Sequence, residues 1–280
     1  MASSKTAAKV APSTAVAVKP ENALVDASTA ALFQQHAGGG FQHANKDSYA
    51  IPFLLMLQSM SPQTKKSDPA YIKGAEEGDF YDSVNGIVIA KGDEGVVVVP
   101  CFYNNSFVEW VTREKGGGFK GEHGYQQGVD LRSRCVRDEK NRDILPNGHQ
   151  LNDTRNHAVL VLGEDGPQPF MLSMTSTQIT KSKKWMTAMN NLKLKGQDGA
   201  LFTPPMYGTQ WRITSIAESN DKGSWSGFNI TPEGYVADPA VFNLAKGFHD
   251  QVNSGVANIA PRAEDPLANG STGVEPGSTF

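Results

Sequence analysis

The chain has 280 residues, of which 39% are hydrophobic and 20% charged, and its formal net charge is −3. That is enough for one large domain or two modest ones, in a composition ordinary for a globular protein. A charge this close to balance excludes any global pull toward nucleic acid or membrane, so an electrostatic function has to come from local segregation of charge.

Cys101 and Cys135 fit neither a disulfide framework nor a CxxC metal signature. Residues 1–20 carry lysines and alanines but no continuous apolar run and no arginine, so neither a secretory signal nor an organelle transit peptide is expected. The densest apolar run, residues 51–57 (IPFLLML), falls far short of the roughly 20 residues a membrane-spanning helix needs. These features predict a cytoplasmic protein with reduced thiols and no membrane contact.

Residues 1–45 are rich in Ala, Ser, Val and Gly and read as a disordered N-terminal arm, with one short helix over 23–36 started near Asp26 or Ser28. Residues 46–258 read as a single domain. Its first segment, 49–60, has helical character, with Pro52 limiting where a helix starts. Residues 80–90 (FYDSVNGIVIA) give strand, Asn-Gly turn, strand, the strongest short hairpin signal. The β-branched run at 95–100 predicts a buried strand. Residues 103–111 alternate Phe107, Glu109 and Val111 against Val108 and Trp110, so one of the two faces should be wet. Residues 157–163 and 168–174 repeat the strand pattern around a Gly-Glu-Asp-Gly turn. Ser176 to Leu194 has helical periodicity, with Trp185, Met189 and Leu192 on one stripe and Met186 beside it. Residues 211–216 and 225–230 form another candidate hairpin. Residues 238–256 read as a helix capped by Asp238 with Pro239 in its first turn. Residues 259–280 are Pro/Gly/Ser-rich and acidic, and predict a mobile tail ending on Phe280. The fold expected is α+β and β-rich, an OB-like antiparallel barrel with inserted helices between disordered tails.

Charge is concentrated in two places. Residues 113–142 carry eight Lys or Arg against five acids, with Phe119 and Tyr125 interleaved and Trp110 just ahead. Within them, KGGGFKGEHG (115–124) has glycines that let backbone N–H groups approach a phosphate, but neither the GK[ST] ending of a P-loop nor GxGxxG spacing. Residues 181–195 carry five lysines and no acid in a run that includes Trp185. Cations along a groove with aromatic faces for bases is how single-stranded nucleic acid is held. The expected phosphate contacts are Lys115, Lys120, Arg132, Arg134, Lys181, Lys183 and Lys184, and the stacking surfaces Trp110, Phe119 and Tyr125. Trp185 reads rather as a core anchor.

Catalytic signals are sparse. The six histidines have no HxH or HExxH spacing, so no metal or other cofactor is expected. Glu76, Glu77, Asp79 and Asp82 cluster as a magnesium-dependent nuclease would require, though GAEEGD also reads as a solvated turn.

IPFLLMLQSMSPQ (51–63), YIKGAEEGDFYDSVNG (71–86) and GVVVVPCFYNNSFVEWVTREKGGGFKGEHG (95–124) resemble a group of bacteriophage-encoded proteins over about residues 45–230. The resemblance implies single-stranded DNA-binding proteins of phage DNA metabolism. It also implies an OB-fold core and an acidic C-terminal tail ending in Phe that recruits replication partners. Phe280 with Glu264, Asp265 and Glu275 is similar to that tail, while the neutral GSTF ending departs from it. The function expected is therefore non-enzymatic, sequence-independent binding of single-stranded DNA in phage replication or recombination. The alternatives are a phage structural or assembly protein and a metal-dependent nuclease.

Overall fold

The computed structural model describes residues 26–43, 48–220, 223–257 and 259–260. Helix α1 (Ala27–Gln35) opens it, with the Asp26 carboxylate accepting from the backbone N–H groups of Ser28 and Thr29. Such a cap satisfies donors that the first turn leaves without partners. Residues 1–25 and 44–45 of the expected N-terminal arm lie outside the described residues.

The segment expected to be helical at 49–60 is extended instead. Strand β1 (Leu54–Met56) pairs antiparallel with β2 (Phe80–Asp82), and β2 with β3 (Ile87–Ala90) around the Asn-Gly turn. An unbroken apolar run has no period to read. Here its residues go alternately to two cores: Leu54 to one and Phe53 to the other. Pro52, which has no N–H to give a ladder, accepts from Met171 N instead.

The two strand signals at 95–100 and 103–111 are one strand, β4 (Val96–Trp110), with a register shift between Pro100 and Phe102. It continues into β5 (Phe119–Gly124), helix α2 (Tyr125–Arg132), and the short strands β6 (Val136–Arg137) and β7 (Asp143–Ile144). Next come β8 (Gln150–Gly163), β9 (Gly166–Thr175) and helix α3 (Ile179–Asn191). A detached two-stranded hairpin, β10 (Leu194–Lys195) and β11 (Leu201–Phe202), follows. The hairpin β12 (Thr209–Asn220) and β13 (Gly223–Tyr235) and helix α4 (Pro239–Asn253) complete the order. As the sequence predicts, Asp238 caps α4, and its side chain accepts from Ala240 N.

The large sheet is antiparallel and curls into a half-barrel, in a β-rich α+β fold. β4 is its spine. Along one edge it pairs with β8; along the other, first with β12 and then with β5. β8 in turn pairs with β9, so one path reads β9-β8-β4-β12-β13, with α3 connecting β9 toward β12.

Both faces of this sheet are covered. One carries the main core, including Phe80, Val98, Val159, Phe170, Trp185, Trp211, Ile213 and Phe228. The opposite face packs Val99, Cys101, Ala158 and Leu160 under Ala245 and Phe248 of α4. Farther along β4, Phe107 lies with Leu145 and Leu151 in a third cluster. Gly128 of α2 sits so close to the Phe107 ring that a Cβ there would meet it at 2.0 Å. The expected division of β4 into a dry and a wet face therefore does not occur: Phe107, Val108 and Trp110 are all buried. Strand alternation sets which residues share a face, but only the elements laid over the sheet decide which face is dry.

The outer edge of β13 is closed by side chains. Gln58 Oε1 accepts from Ser226 N at 3.0 Å and Gln58 Nε2 donates to Ser226 O at 3.1 Å, so the amide acts as a one-residue strand. Two residues on, Gln178 Oε1 accepts from Phe228 N at 3.2 Å. Pro232 follows on the same strand, without an N–H to offer. Side chains and a proline used in this way blunt an edge strand against pairing with a neighbouring chain.

Candidate nucleic-acid interface

Between β4 and β8 the chain makes a long excursion, 111–149, that contains the whole of the first basic segment. Ion pairs hold much of that charge inside the excursion. Arg132 reaches Asp143 (3.0 Å) and Asp153 (3.8 Å), and Arg137 reaches Asp143 (3.1 Å). Arg142 is bound by Asp138 (2.7 Å) and Glu114 (3.4 Å), and Lys140 by Glu114 (3.2 Å). Glu114 is held at about 2, by its own backbone N–H first and then by Lys140 and Arg142. Lys115, Lys120 and Arg134 have no acidic partner among the described residues, and all three are exposed. The Lys115 ammonium lies over Gly148, at 2.1 Å from where a Cβ would stand.

Glu109 ties the excursion to the sheet. His123 Nε2 on β5 lies 2.9 Å from one carboxylate oxygen, while His149 Nδ1 and Asn147 Nδ2 (3.0 Å) approach the other. Burial pushes this carboxyl up, but the hydrogen bonds from His149, His123 and Asn147 outweigh it and hold the group below its ordinary value.

Of the three aromatic residues expected to stack, Phe119 and Tyr125 are exposed, at 44% and 54%. Trp110 is buried and turned edge-on to Phe119, with ring centroids 5.7 Å apart, so it supports that ring and offers no free face.

Helix α3 carries the second basic segment. Ser182, Trp185 and Met189 are buried, with Met186 and Leu192 packed beside them, which is the stripe the sequence predicts. Trp185 stacks on His157 at 4.6 Å and meets Trp211 edge-on, a core position. Burial drives His157 down to about 3. Lys183 and Lys184 project outward without acidic partners among the described residues. Lys181 differs: its ammonium is 2.7 Å from Glu218 Oε1 on β12, which pins α3 to the β12–β13 hairpin.

The two basic elements share one face of β8. Arg132 of α2 reaches Asp153, and Ser182 of α3 bonds His157 at 2.8 Å. Asp153 and His157 are four residues apart on the same side of the strand, about 13 Å at the usual rise. α2 and α3 are thus anchored on the same side of β8, although their sequences are far apart.

Two of the four acids that suggested a nuclease are engaged by nearby donors, and a third, Glu77, accepts from Ser226 Oγ at 3.2 Å. Asp79 is buried and accepts from Glu76 N, Lys91 Nζ and Gly92 N. Asp82 holds the Asn-Gly turn by accepting from Val84 N and from both the backbone and side-chain N–H groups of Asn85. Among the described residues no three His, Cys, Asp or Glu side chains are placed to hold a metal ion. No described helix is long and apolar enough to cross a membrane. Phe280, Glu264, Asp265 and Glu275 lie outside the described residues.

Sequence reading passed over Gln58 and Gln178, whose roles depend on partners 168 and 50 residues away. It also passed over Leu201 and Phe202, exposed at 70% and 47% on the β10–β11 hairpin. The signal for the hairpin was present: LKLK and ALF flank a Gly-Gln-Asp-Gly turn.

No curated protein and no solved structure matches the chain. Residues 20–258 match the family described as Pam3 phage gp34-like protein. That match spans most of the chain and takes in every element from α1 to α4, so the protein belongs to the Pam3 phage gp34-like family.

Proposed function

We propose that this phage protein is a non-enzymatic, sequence-independent binder of single-stranded DNA acting in phage replication or recombination. The observation that carries the reading is the anchoring of α2 and α3 on one face of β8. Exposed cations without acidic partners among the described residues lie on α3 (Lys183 and Lys184) and in the excursion that holds α2 (Lys115, Lys120 and Arg134), and that excursion also exposes Phe119 and Tyr125. Arg132 and Lys181, spent on acids, serve to hold the two elements in place.

The strand order supports the same reading. A five-stranded OB barrel has a long first strand that pairs with both the second and the fourth, and a helix between the third and fourth. The path β9-β8-β4-β12-β13, with α3 after β9, follows that order. In place of a last ladder, Gln58 and Gln178 fasten β13. The loop after the first strand of such a barrel is one that contacts oligonucleotides, and here it is the basic 111–149 excursion.

The test is fluorescence anisotropy of a labelled oligothymidine strand, and of a duplex, at two salt concentrations. Five uncompensated cations predict a slope of log K against log salt of about −3.5 at most. The double variant Lys183→Glu/Lys184→Glu should weaken binding and flatten the slope. Failure to bind any single strand at low salt sinks the proposal, and salt-insensitive assembly into large particles would favour a structural role.

A further inference from the structure

We infer that Arg155 is an anion site: its guanidinium, on the floor of the sheet between the points where α2 and α3 are anchored, takes a phosphoryl oxygen. The inference stands on the ion pairs along β8 and does not require the single-strand-binding reading. A phosphodiester of a nucleic-acid strand and a free phosphate share this chemistry.

Asp153, Arg155 and His157 alternate along β8 and so share one face, on which Arg132 of α2 meets Asp153 and Ser182 of α3 meets His157. Arg155 stands opposite Asn105 of β4 on one side and Met174 of β9 on the other, so it lies inside the sheet and not at an edge. Its side chain is only 10% exposed. An arginine is rarely buried so far without being paired. The pairing here is incomplete. Arg155 Nη2 donates to Asp153 Oδ2 at 2.9 Å, while Arg155 Nε has no hydrogen-bond partner among the described residues.

Charge gives the sign of the missing group. Arg137, Asp143, Arg132, Asp153 and Arg155 form one chain of ion pairs, linked in that order at 3.1, 3.0, 3.8 and 2.9 Å. Three guanidiniums on two carboxylates leave one positive charge over, with an arginine at each end. The Arg137 side chain is 55% exposed, so water screens its charge. Arg155 is buried, and there an uncompensated charge is costly. The group that completes the chain is therefore an anion at Arg155. Arginine matches carboxylate and phosphate alike. Asp153 already supplies the carboxylate at Nη2 and leaves the single donor Nε, which one oxygen of a tetrahedral phosphoryl group can take alone. The rival is a closed pair, in which Nε and Asp153 Oδ1, itself without a hydrogen-bond partner, swing onto each other.

The experiment titrates the full chain with sodium phosphate against sodium chloride at equal ionic strength, following heat by calorimetry and the Arg155 Nε–H resonance by NMR. Binding should saturate and the resonance should shift. Arg155→Gln should weaken phosphate binding about 10- to 100-fold. Asp153→Asn keeps the arginine and removes the acid beside it, so it should bind phosphate several-fold tighter; if Arg155→Gln does not fold, this variant decides. An oligothymidine strand without a terminal phosphate that displaces bound phosphate identifies a backbone phosphodiester as the occupant, and no displacement identifies a free phosphate. No heat and no shift at Nε, or an Asp153→Asn variant that binds phosphate no tighter than wild type, overturns the inference in favour of the closed pair. Phosphate binding by a chain that binds no single strand leaves this site standing while the single-strand reading falls. Strand binding without phosphate binding does the reverse.

Discussion

Replacing Gln58 by Met tests whether side-chain amides close the half-barrel. The substitution keeps length and removes both polar atoms, so Ser226 N and Ser226 O lose the partners now at 3.0 and 3.1 Å. Gln58 is buried at 5% and Ser226 at 6%, so water reaches neither group freely. Each buried backbone group left unpaired costs about 1–3 kcal/mol, which puts the variant about 2–6 kcal/mol below wild type. Against a total stability of about 5–15 kcal/mol, that is a large loss. In urea unfolding, with m near 3 kcal/mol per M, the midpoint should fall by about 0.7–2 M while m stays constant. Gln178→Met removes the single bond to Phe228 N, plus weaker contacts at 3.4 Å to Thr177 and Glu218, and should cost about half as much. Amide exchange at Ser226 should quicken in the first variant and at Phe228 in the second. A Gln58→Met midpoint within 0.2 M of wild type, roughly 0.6 kcal/mol at this m, refutes the argument.

Burial lifts the Cys101 thiol to about 12, so a thiol reagent should leave it unmodified in the native protein while the less buried Cys135 reacts. Labelling followed by mass spectrometry decides this, and modification of Cys101 at native-state rates refutes it. His157 is neutral in the fold, with its charge favoured only below about 3 against 6.5 for the free side chain. A depressed folded value means its contribution is complete above 6.5 and is lost as pH falls toward 3. One proton gives a slope of about 1.4 kcal/mol per pH unit across that window. His157→Phe should remove that slope from a pH series of urea midpoints. Glu109 is likewise held below its ordinary 4.5, so its contribution is present above 4.5 and fades as pH falls below it. Glu109→Gln should flatten stability in that acid range, and an unchanged acid limb argues against the His123–Glu109–His149 link. Phe248→Ala should cost about 3–5 kcal/mol, because the ring fills the seam between α4 and the sheet.

Where the chemistry is local, the sequence by itself determined the outcome. The Asn-Gly turn after β2, the 163–166 turn, the Asp26 and Asp238 caps and the Trp185–Met189 stripe each depend on residues within a few positions of one another. Charge segregation was legible for the same reason, since it is a property of composition along a window. Tertiary structure decided the rest. Whether 51–57 was helix or strand turned on having a core on each side of it, which an unbroken apolar run does not reveal. Whether Trp110 faced solvent turned on β5 folding back along the end of β4 and setting Phe119 against it. Which lysines and arginines kept their charge free turned on where Glu114, Asp143, Asp153 and Glu218 arrived in space. The half-barrel's seam depends on two glutamines that look like surface residues in the sequence. A hydrogen bond between groups 168 residues apart leaves no mark on the chain until it folds.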